Sequence, residues 1–240
     1  NGILTLPNLE TKFLSVNSLV GLNISETHWS SLKVSNYEKL KKELHDIRHN
    51  HFLARTSRVK NNWRKKDEAK REEIKNELLR FKWNENEVEK ITNWNPYKQN
   101  EVSEFFDFEF MFEEKDRFDI VIGNPPYGAS LSKKDKEVCK KTYISSQTIK
   151  GVQKGSLDTY SLFIEKGYNL LSKNGVLSYI VPISITSSDS MSGIQRLIEQ
   201  NCKSIKISSY AVRPQPVFEN AVVNTSILFF KKTLTDVEEI

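Results

Sequence analysis

The sequence predicts an α/β fold: a partial doubly wound sheet with a helical hairpin inserted ahead of its most apolar strand. Three observations carry this. Phe118-Asp119-Ile120-Val121-Ile122 is an apolar run closed by Gly123, the pattern of a buried strand. Further runs at Val176 to Val181, Ile205 to Tyr210 and Thr225 to Phe230 alternate with helical segments, which implies a mostly parallel sheet with helices on both faces. Between Asn36 and Trp83, apolar residues recur instead at helical spacing (Leu40, Leu44, Ile47; Ile74, Leu78, Phe81) on either side of a polar, basic stretch, so two long antiparallel helices are expected there.

The remaining elements follow in order. Lys12 to Val16 alternate loosely and end in Asn17-Ser18-Leu19, a short strand and a loop. Residues 129–157 read as a polar loop with seven lysines: Lys133, Lys134, Lys136, Lys140, Lys141, Lys150 and Lys154. Asp158 to Leu171 sets Tyr160, Phe163, Ile164, Tyr168 and Leu171 on one helical face, and Asn174-Gly175 is the expected stop. Pro182 closes the next strand, and Ile194 to Ile198 reads as a helix. The division is residues 1–35 with 91–240 for the sheet domain, and 36–90 for the inserted basic hairpin.

Composition narrows the class. The 240 residues are 38% hydrophobic and 28% charged, the balance of a folded globular chain. No apolar run approaches the roughly 20 residues of a membrane-spanning helix. Two cysteines, Cys139 and Cys202, argue against a disulfide framework and for a reducing compartment, so a cytoplasmic setting is expected. The net charge of +5 is concentrated: Tyr37 to Lys82 holds 15 Lys and Arg against 8 Asp and Glu, a net of +7, leaving about −2 elsewhere. That segment is either a solvated helical face or a nucleic-acid surface. His45 and His49 have the i, i+4 spacing of metal ligands, but lack a nearby cysteine or a suitable acidic partner, so no metal is expected. The first residue is Asn1, and Leu6-Pro7-Asn8-Leu9 reads as a loop within a domain, so the chain is expected to be an excised piece.

The chemistry points to Asn124-Pro125-Pro126-Tyr127, directly after the strand, where ligands bind in open α/β sheets. Two prolines fix the backbone and remove two N–H donors. The Pro125 carbonyl and the Asn124 amide oxygen are two acceptors, and Tyr127 is a flat face beside them. Such a set suits an exocyclic amino group on a planar ring. Hydrogen bonds from both N–H groups to fixed acceptors localise its lone pair and stabilise the positive charge that develops on methyl transfer.

Asp119 through Tyr127 resembles the catalytic motif of S-adenosylmethionine-dependent amino-methyltransferases. Three further segments resemble the adenine-specific methylases of type I and type IIG restriction–modification systems, the Eco57I-like group. They are Leu6 to Leu19, Asp158-Thr159-Tyr160 through Pro182, and Pro216-Val217-Phe218-Glu219-Asn220-Ala221 to Phe230. The resemblance implies a Rossmann-like methyltransferase sheet, S-adenosylmethionine as cofactor and double-stranded DNA as partner. By it, Asn124 and Pro125 accept from adenine N6. Tyr127 and Phe218 sandwich a flipped base, and Asn17 contacts the cofactor's adenine. The group's glycine-rich cofactor loop is not found, because none of the nine glycines forms a Gly-x-Gly pair. That motif is expected upstream of Asn1. The chain alone is therefore expected to be inactive and to expose a sheet edge through which two copies could pair. Two other readings remain: a protein-glutamine methyltransferase, whose substrate amide poses the same problem of nucleophilicity, and a non-catalytic nucleic-acid-binding module with a vestigial site.

Overall fold

The computed structural model describes residues 7–21, 36–112, 117–218 and 223–233. They divide into two compact units, Asn1–Lys115 and Asp116–Ile240.

The first unit is helical. Helices α1 (Tyr37–Leu53) and α2 (Ser57–Arg80) form the expected hairpin, followed by α3 (Glu85–Asn93) and α4 (Phe108–Phe112). Thr56 caps α2 by accepting a hydrogen bond from Val59 N. Leu44, Ile74, Leu78, Val88 and Ile91 are fully or almost fully buried along the inner faces, as the spacing predicts. The expected strand at Lys12 to Val16 is reduced to one isolated bridge, Val16 to Ser103.

What the spacing does not announce is a buried ionic triad. Arg48 Nε donates to Asp67 Oδ2 at 2.8 Å and Arg71 Nε to Asp67 Oδ1 at 2.7 Å, with Arg48 and Asp67 wholly buried. The guanidinium groups reach onward, Arg48 to the Phe110 carbonyl (2.9 Å) and Arg71 to the Thr92 carbonyl (2.8 Å). Arg48 also lies over the rings of Trp94 and Phe110. One carboxylate on α2 thus ties together α1, α2, the end of α3 and α4.

The second unit is the sheet. Strand β1 (Phe118–Gly123) is followed by helices α5 (Lys133–Thr142) and α6 (Thr159–Leu170), then β2 (Leu171–Pro182), the short α7 (Ser184–Ser187), α8 (Ser192–Asn201), β3 (Cys202–Tyr210) and β4 (Thr225–Lys232). The strand order is β1-β2-β4-β3, with β1 parallel to β2 and β4 antiparallel to both β2 and β3. The fold is α/β, but the sheet is mixed where mostly parallel strands were expected. The return from β3 to β4 needs no crossover helix, so the last pair is antiparallel.

Three local expectations change. Residues 129–157 contain helix α5, capped by Ser132 through its bond from Asp135 N. Asn174 (φ 61°) and Gly175 lie inside β2, in an irregular stretch where the register passes from Phe118↔Leu171 to Ile120↔Val176. Finally, β1 is not a buried strand. Its only described partner is β2, and Ile120 and Ile122 are 68% and 79% exposed. The register shows why. Leu177, Tyr179 and Val181 share one face with Leu228 and Phe230, and this face packs on Tyr160 and Ile164 of α6 and on Ile194, Leu197 and Ile198 of α8. Ile120, Ile122, Ile227 and Phe229 belong to the opposite face and remain exposed. Helices therefore cover one face among the described residues, not two. Gly167 permits the close approach of α6: a Cβ there would lie 2.6 Å from Leu177 Cδ1 and 2.8 Å from the Tyr179 hydroxyl.

Removing Asp67 alone leaves two buried guanidinium groups without their counter-charge. Asp67→Ala should cost about 3–5 kcal/mol, a large share of a typical domain's stability. Replacing the whole triad (Arg48→Met, Asp67→Leu, Arg71→Met) should cost much less. Urea unfolding followed by circular dichroism separates the two, and equal losses would show that the triad is not the link between these helices.

Acid should also weaken the helical unit. Burial, with help from Arg48 and Lys41, pushes the His45 imidazole from 6.5 down to about 4. Burial lowers His51 too, against the opposing charge of Glu10. Both bind a proton more weakly folded than unfolded. Stability is then full above pH 6.5 and falls as the pH drops from 6.5 towards 4, where the unfolded chain holds more protons. Unfolding titrations at about pH 7.5 and about pH 5 should show the loss. His45→Gln should shrink it, and an unchanged loss would remove His45 from the account.

Candidate active site

The tetrapeptide begins where β1 ends. Asn124 is exposed, Pro125 buried, Pro126 exposed and Tyr127 half-buried. Neither proline can donate a hydrogen bond, so the loop depends on side chains for its anchorage. The Tyr127 hydroxyl lies 2.8 Å from Asn124 Oδ1 and 2.9 Å from the Ile180 carbonyl, and its single proton is shared between these two acceptors. It thereby ties the loop to the end of β2 and orients the Asn124 amide, whose oxygen keeps a second lone pair. The Tyr127 ring meets Tyr160 edge to face, with centroids 6.4 Å apart. Thr159 Oγ1 donates to the Pro126 carbonyl at 2.7 Å and accepts from Ala129 N at 3.3 Å. Gly128 follows at φ +62°, a left-handed conformation that turns the chain away from the tetrapeptide.

Two acceptors at this loop are poised for a donor. Asn124 Oδ1 has its remaining lone pair, and the Pro125 carbonyl accepts no hydrogen bond from the described residues. Burial raises the Tyr127 phenol above its ordinary value, so at neutral pH it stays protonated and remains a donor. The residues bonded around the loop (Asn124, Tyr127, Thr159, Tyr160 and, through the Tyr160 hydroxyl, Ser184) include no histidine and no carboxylate. The arrangement can bind and polarise a polar donor.

The other expected site residues belong to other elements of the chain. Phe218 is half-buried in the loop between β3 and β4, where Asn224 Oδ1 accepts from Val212 N at 2.8 Å. The ring paired with Tyr127 is Tyr160. Glu219, Asn220 and Ala221 lie outside the described residues. Asn17 belongs to the first unit, where its backbone N donates to the Ser103 carbonyl at 2.8 Å and its half-buried side chain makes no hydrogen bond to the described residues. Sequence reasoning left out Thr159, Tyr160 and the Ile180 carbonyl as supports. Thr159 and Tyr160 open α6, far from the tetrapeptide along the chain, and no local pattern in the sequence links them to it.

The lysine-rich segment is anchored to the same unit. The buried Glu165 carboxylate accepts from Ile144 N and Ser145 N (2.9 and 2.8 Å), and Gln153 Nε2 donates to the Ile144 and Gln147 carbonyls (3.0 and 2.9 Å). All seven lysines are exposed, and Lys154 pairs with Asp189 at 3.1 Å.

The sequence profile of the Eco57I restriction-modification methylases matches residues 17–218, which include every residue of this site. The chain belongs to that family. Within it, the chain is 30% identical over 121 residues to the type II restriction enzyme and methyltransferase RM.Eco57I of Escherichia coli, covering 48% of this chain and 11% of that one. It is 32% identical over 89 residues to the type II methyltransferase M.TthHB8I of Thermus thermophilus, covering 36% and 20%. The chain thus spans a tenth to a fifth of the length of these relatives. Among solved structures it is similar to the ATP-dependent type ISP restriction-modification enzyme LlaBIII bound to DNA (15% identity, 57% of this chain and 11% of that one, TM-score 0.40). No helix among the described residues of this family member is long and apolar enough to cross a membrane.

The anchorage can be tested apart from any activity. Thr159→Val keeps the side-chain shape and removes the bond to Pro126. It should cost about 0.5–1.5 kcal/mol of unfolding free energy and raise amide exchange at Gly128 and Ala129. Unaltered exchange there would mean that Thr159 does not hold the loop.

Proposed function

We propose that this chain carries the methyl-acceptor half of a DNA adenine-N6 methyltransferase site. The observation that carries the reading is the anchored tetrapeptide at the end of β1, with the Asn124 amide oriented by the Tyr127 hydroxyl at 2.8 Å. Membership of a restriction-modification methylase family supports double-stranded DNA as the partner. Adenine N6 presents two N–H groups in one plane. Asn124 Oδ1 and the Pro125 carbonyl accept from them, which localises the nitrogen lone pair and meets the positive charge as it forms. Tyr127 offers its ring to the base, and Phe218 is assigned to the opposite face. The base must leave the duplex to reach them, because inside the stack N6 is out of reach.

S-adenosylmethionine supplies the methyl group when bound. Asn17 fits a role beside its adenine, since the Asn17 amide is half-buried and free of hydrogen bonds to the described residues. The rest of the cofactor contacts are not assigned to these 240 residues, which hold no Gly-x-Gly pair. The site residues need only accept hydrogen bonds and exclude competing orientations. No step calls for a strong base in this chain.

In the full-length protein, Asn124→Ala should slow methyl transfer to adenine-containing duplex by roughly 10²- to 10³-fold, the loss typical of one preorganised site group. Duplex binding should change little. Transfer of label from S-[methyl-³H]adenosylmethionine, followed by nucleoside analysis, reads both the rate and the acceptor atom. Full activity in the variant would overturn the role of Asn124. Label on a glutamine-containing protein and none on DNA would move the same site to an amide substrate.

A further inference from the structure

The cations of the helical hairpin are sorted. From Ile47 to Lys66 there is no aspartate or glutamate, and there are seven cations: Arg48, Arg55, Arg58, Lys60, Arg64, Lys65 and Lys66. Two of these turn inward, Arg48 to the buried Asp67 and Arg64 to both carboxylate oxygens of Glu10 at 2.7 Å. The other five, Arg55, Arg58, Lys60, Lys65 and Lys66, make no ion pair among the described residues, and all but the half-buried Lys60 are exposed. The opposite end of the same hairpin mixes its charges: Lys41 pairs with Glu38 and Glu109, Lys70 with Glu43 and Glu73, and Arg80 with Glu77, while Lys39, Lys42, Lys75 and Lys82 stand among acids without an ion pair to the described residues. Cations that merely solvate a helix face would be expected to mix with acids at the tip as they do at the base.

Local electrostatics would not place them there. Arg58 and Lys60 open α2, whose first turn holds no acidic residue. The macrodipole favours anions at that end, and the clustered cations repel one another. An external anion removes both penalties. Arg58 to Lys66 covers about 12 Å along the helix axis at 1.5 Å per residue, the rise over which one DNA strand presents roughly three to four phosphates. The exposed tip therefore carries the sign of charge that a polyanion needs, and Arg58 and Lys65, two turns apart, share one face of α2.

We propose that the tip of the α1–α2 hairpin is a phosphate clamp that grips the backbone of duplex DNA and contributes affinity without sequence readout. The inference rests on the reading of DNA as the substrate, and it adds a second point of contact, on an element that carries none of the acceptor groups.

The test is binding of this chain to a fluorescein-labelled duplex, followed by anisotropy across about 50 to 200 mM salt. The variant Arg55→Gln/Arg58→Gln/Lys65→Gln should flatten the slope of log affinity on log salt by about 2–3, near 0.9 per phosphate lost. Its thermal unfolding should stay unchanged, since these side chains make no internal ion pairs. The control Lys39→Gln/Lys75→Gln/Lys82→Gln, away from the tip, should leave the slope as it was. An unchanged slope in the tip variant, an equal change in the control, absence of duplex binding by the unaltered chain, or tighter binding of polyglutamate than of DNA would each overturn the clamp. The two readings fail separately. In the full-length protein, the tip variant should keep methyl transfer at saturating DNA while its salt slope flattens. Asn124→Ala should do the reverse.

Discussion

Two consecutive prolines impose the constraint on which the sheet unit's site depends. A loop without backbone donors at Pro125 and Pro126 cannot be fastened by extending the ladder of β1. It is fastened instead by two hydroxyl groups from its surroundings, Tyr127 reaching the Ile180 carbonyl and Thr159 reaching the Pro126 carbonyl. Those bonds fix where α6 must start and where β2 must end. The same absence of donors leaves the Pro125 carbonyl and half of the Asn124 amide oxygen uncommitted. Rigidity and reactivity at this loop have one origin: what the prolines cannot satisfy internally is available to a ligand.

The helical unit solves a different problem. It is too charged to be held by an apolar seam alone, and it buries a carboxylate between two guanidinium groups at its centre. Such a triad adds little stability over an apolar replacement, but each partner is costly to lose alone. It also divides the basic residues into two populations. Arg48 and Arg71 are structural, while Arg55, Arg58 and their neighbours at the tip are free to meet something else. A net charge of +7 counted along the segment cannot make that distinction, because it assigns every cation to the surface.

Much of the architecture was legible because periodicity reports burial. The hairpin helices, α6 and the strands β2 to β4 fall where their apolar spacing puts them. Periodicity failed where burial depends on neighbours in space. Phe118 to Ile122 reads as a buried strand, yet Ile120 and Ile122 lie on the sheet face that no helix covers among the described residues. Asn174-Gly175 has the chemistry of a helix stop, and the structure uses it within a strand, with Asn174 at φ 61°. Helix α5 was hidden because its apolar content is little more than Val138 and the buried Cys139. At the site, the tetrapeptide was plain from its residues. Its supports, Thr159 and the Ile180 carbonyl, were not, because a hydrogen bond across 33 or 53 positions leaves no local trace.

The connection between β1 and β2 has a dynamic consequence. These strands are parallel neighbours joined by residues 124–170, whereas β3 and β4 are joined by residues 211–224. Closing the longer loop costs more chain entropy, and β1 recovers that cost through a single described neighbour. Opening of β1 therefore lies at the low end of the free-energy ladder of this sheet, below β2 and β4, which are paired on both sides. In a hydrogen-exchange experiment the amides of Ile120 to Gly123 would be the first of the sheet to lose protection. The strand that presents the acceptor groups is thus the one expected to open first, and a ligand bound at its end would slow that exchange.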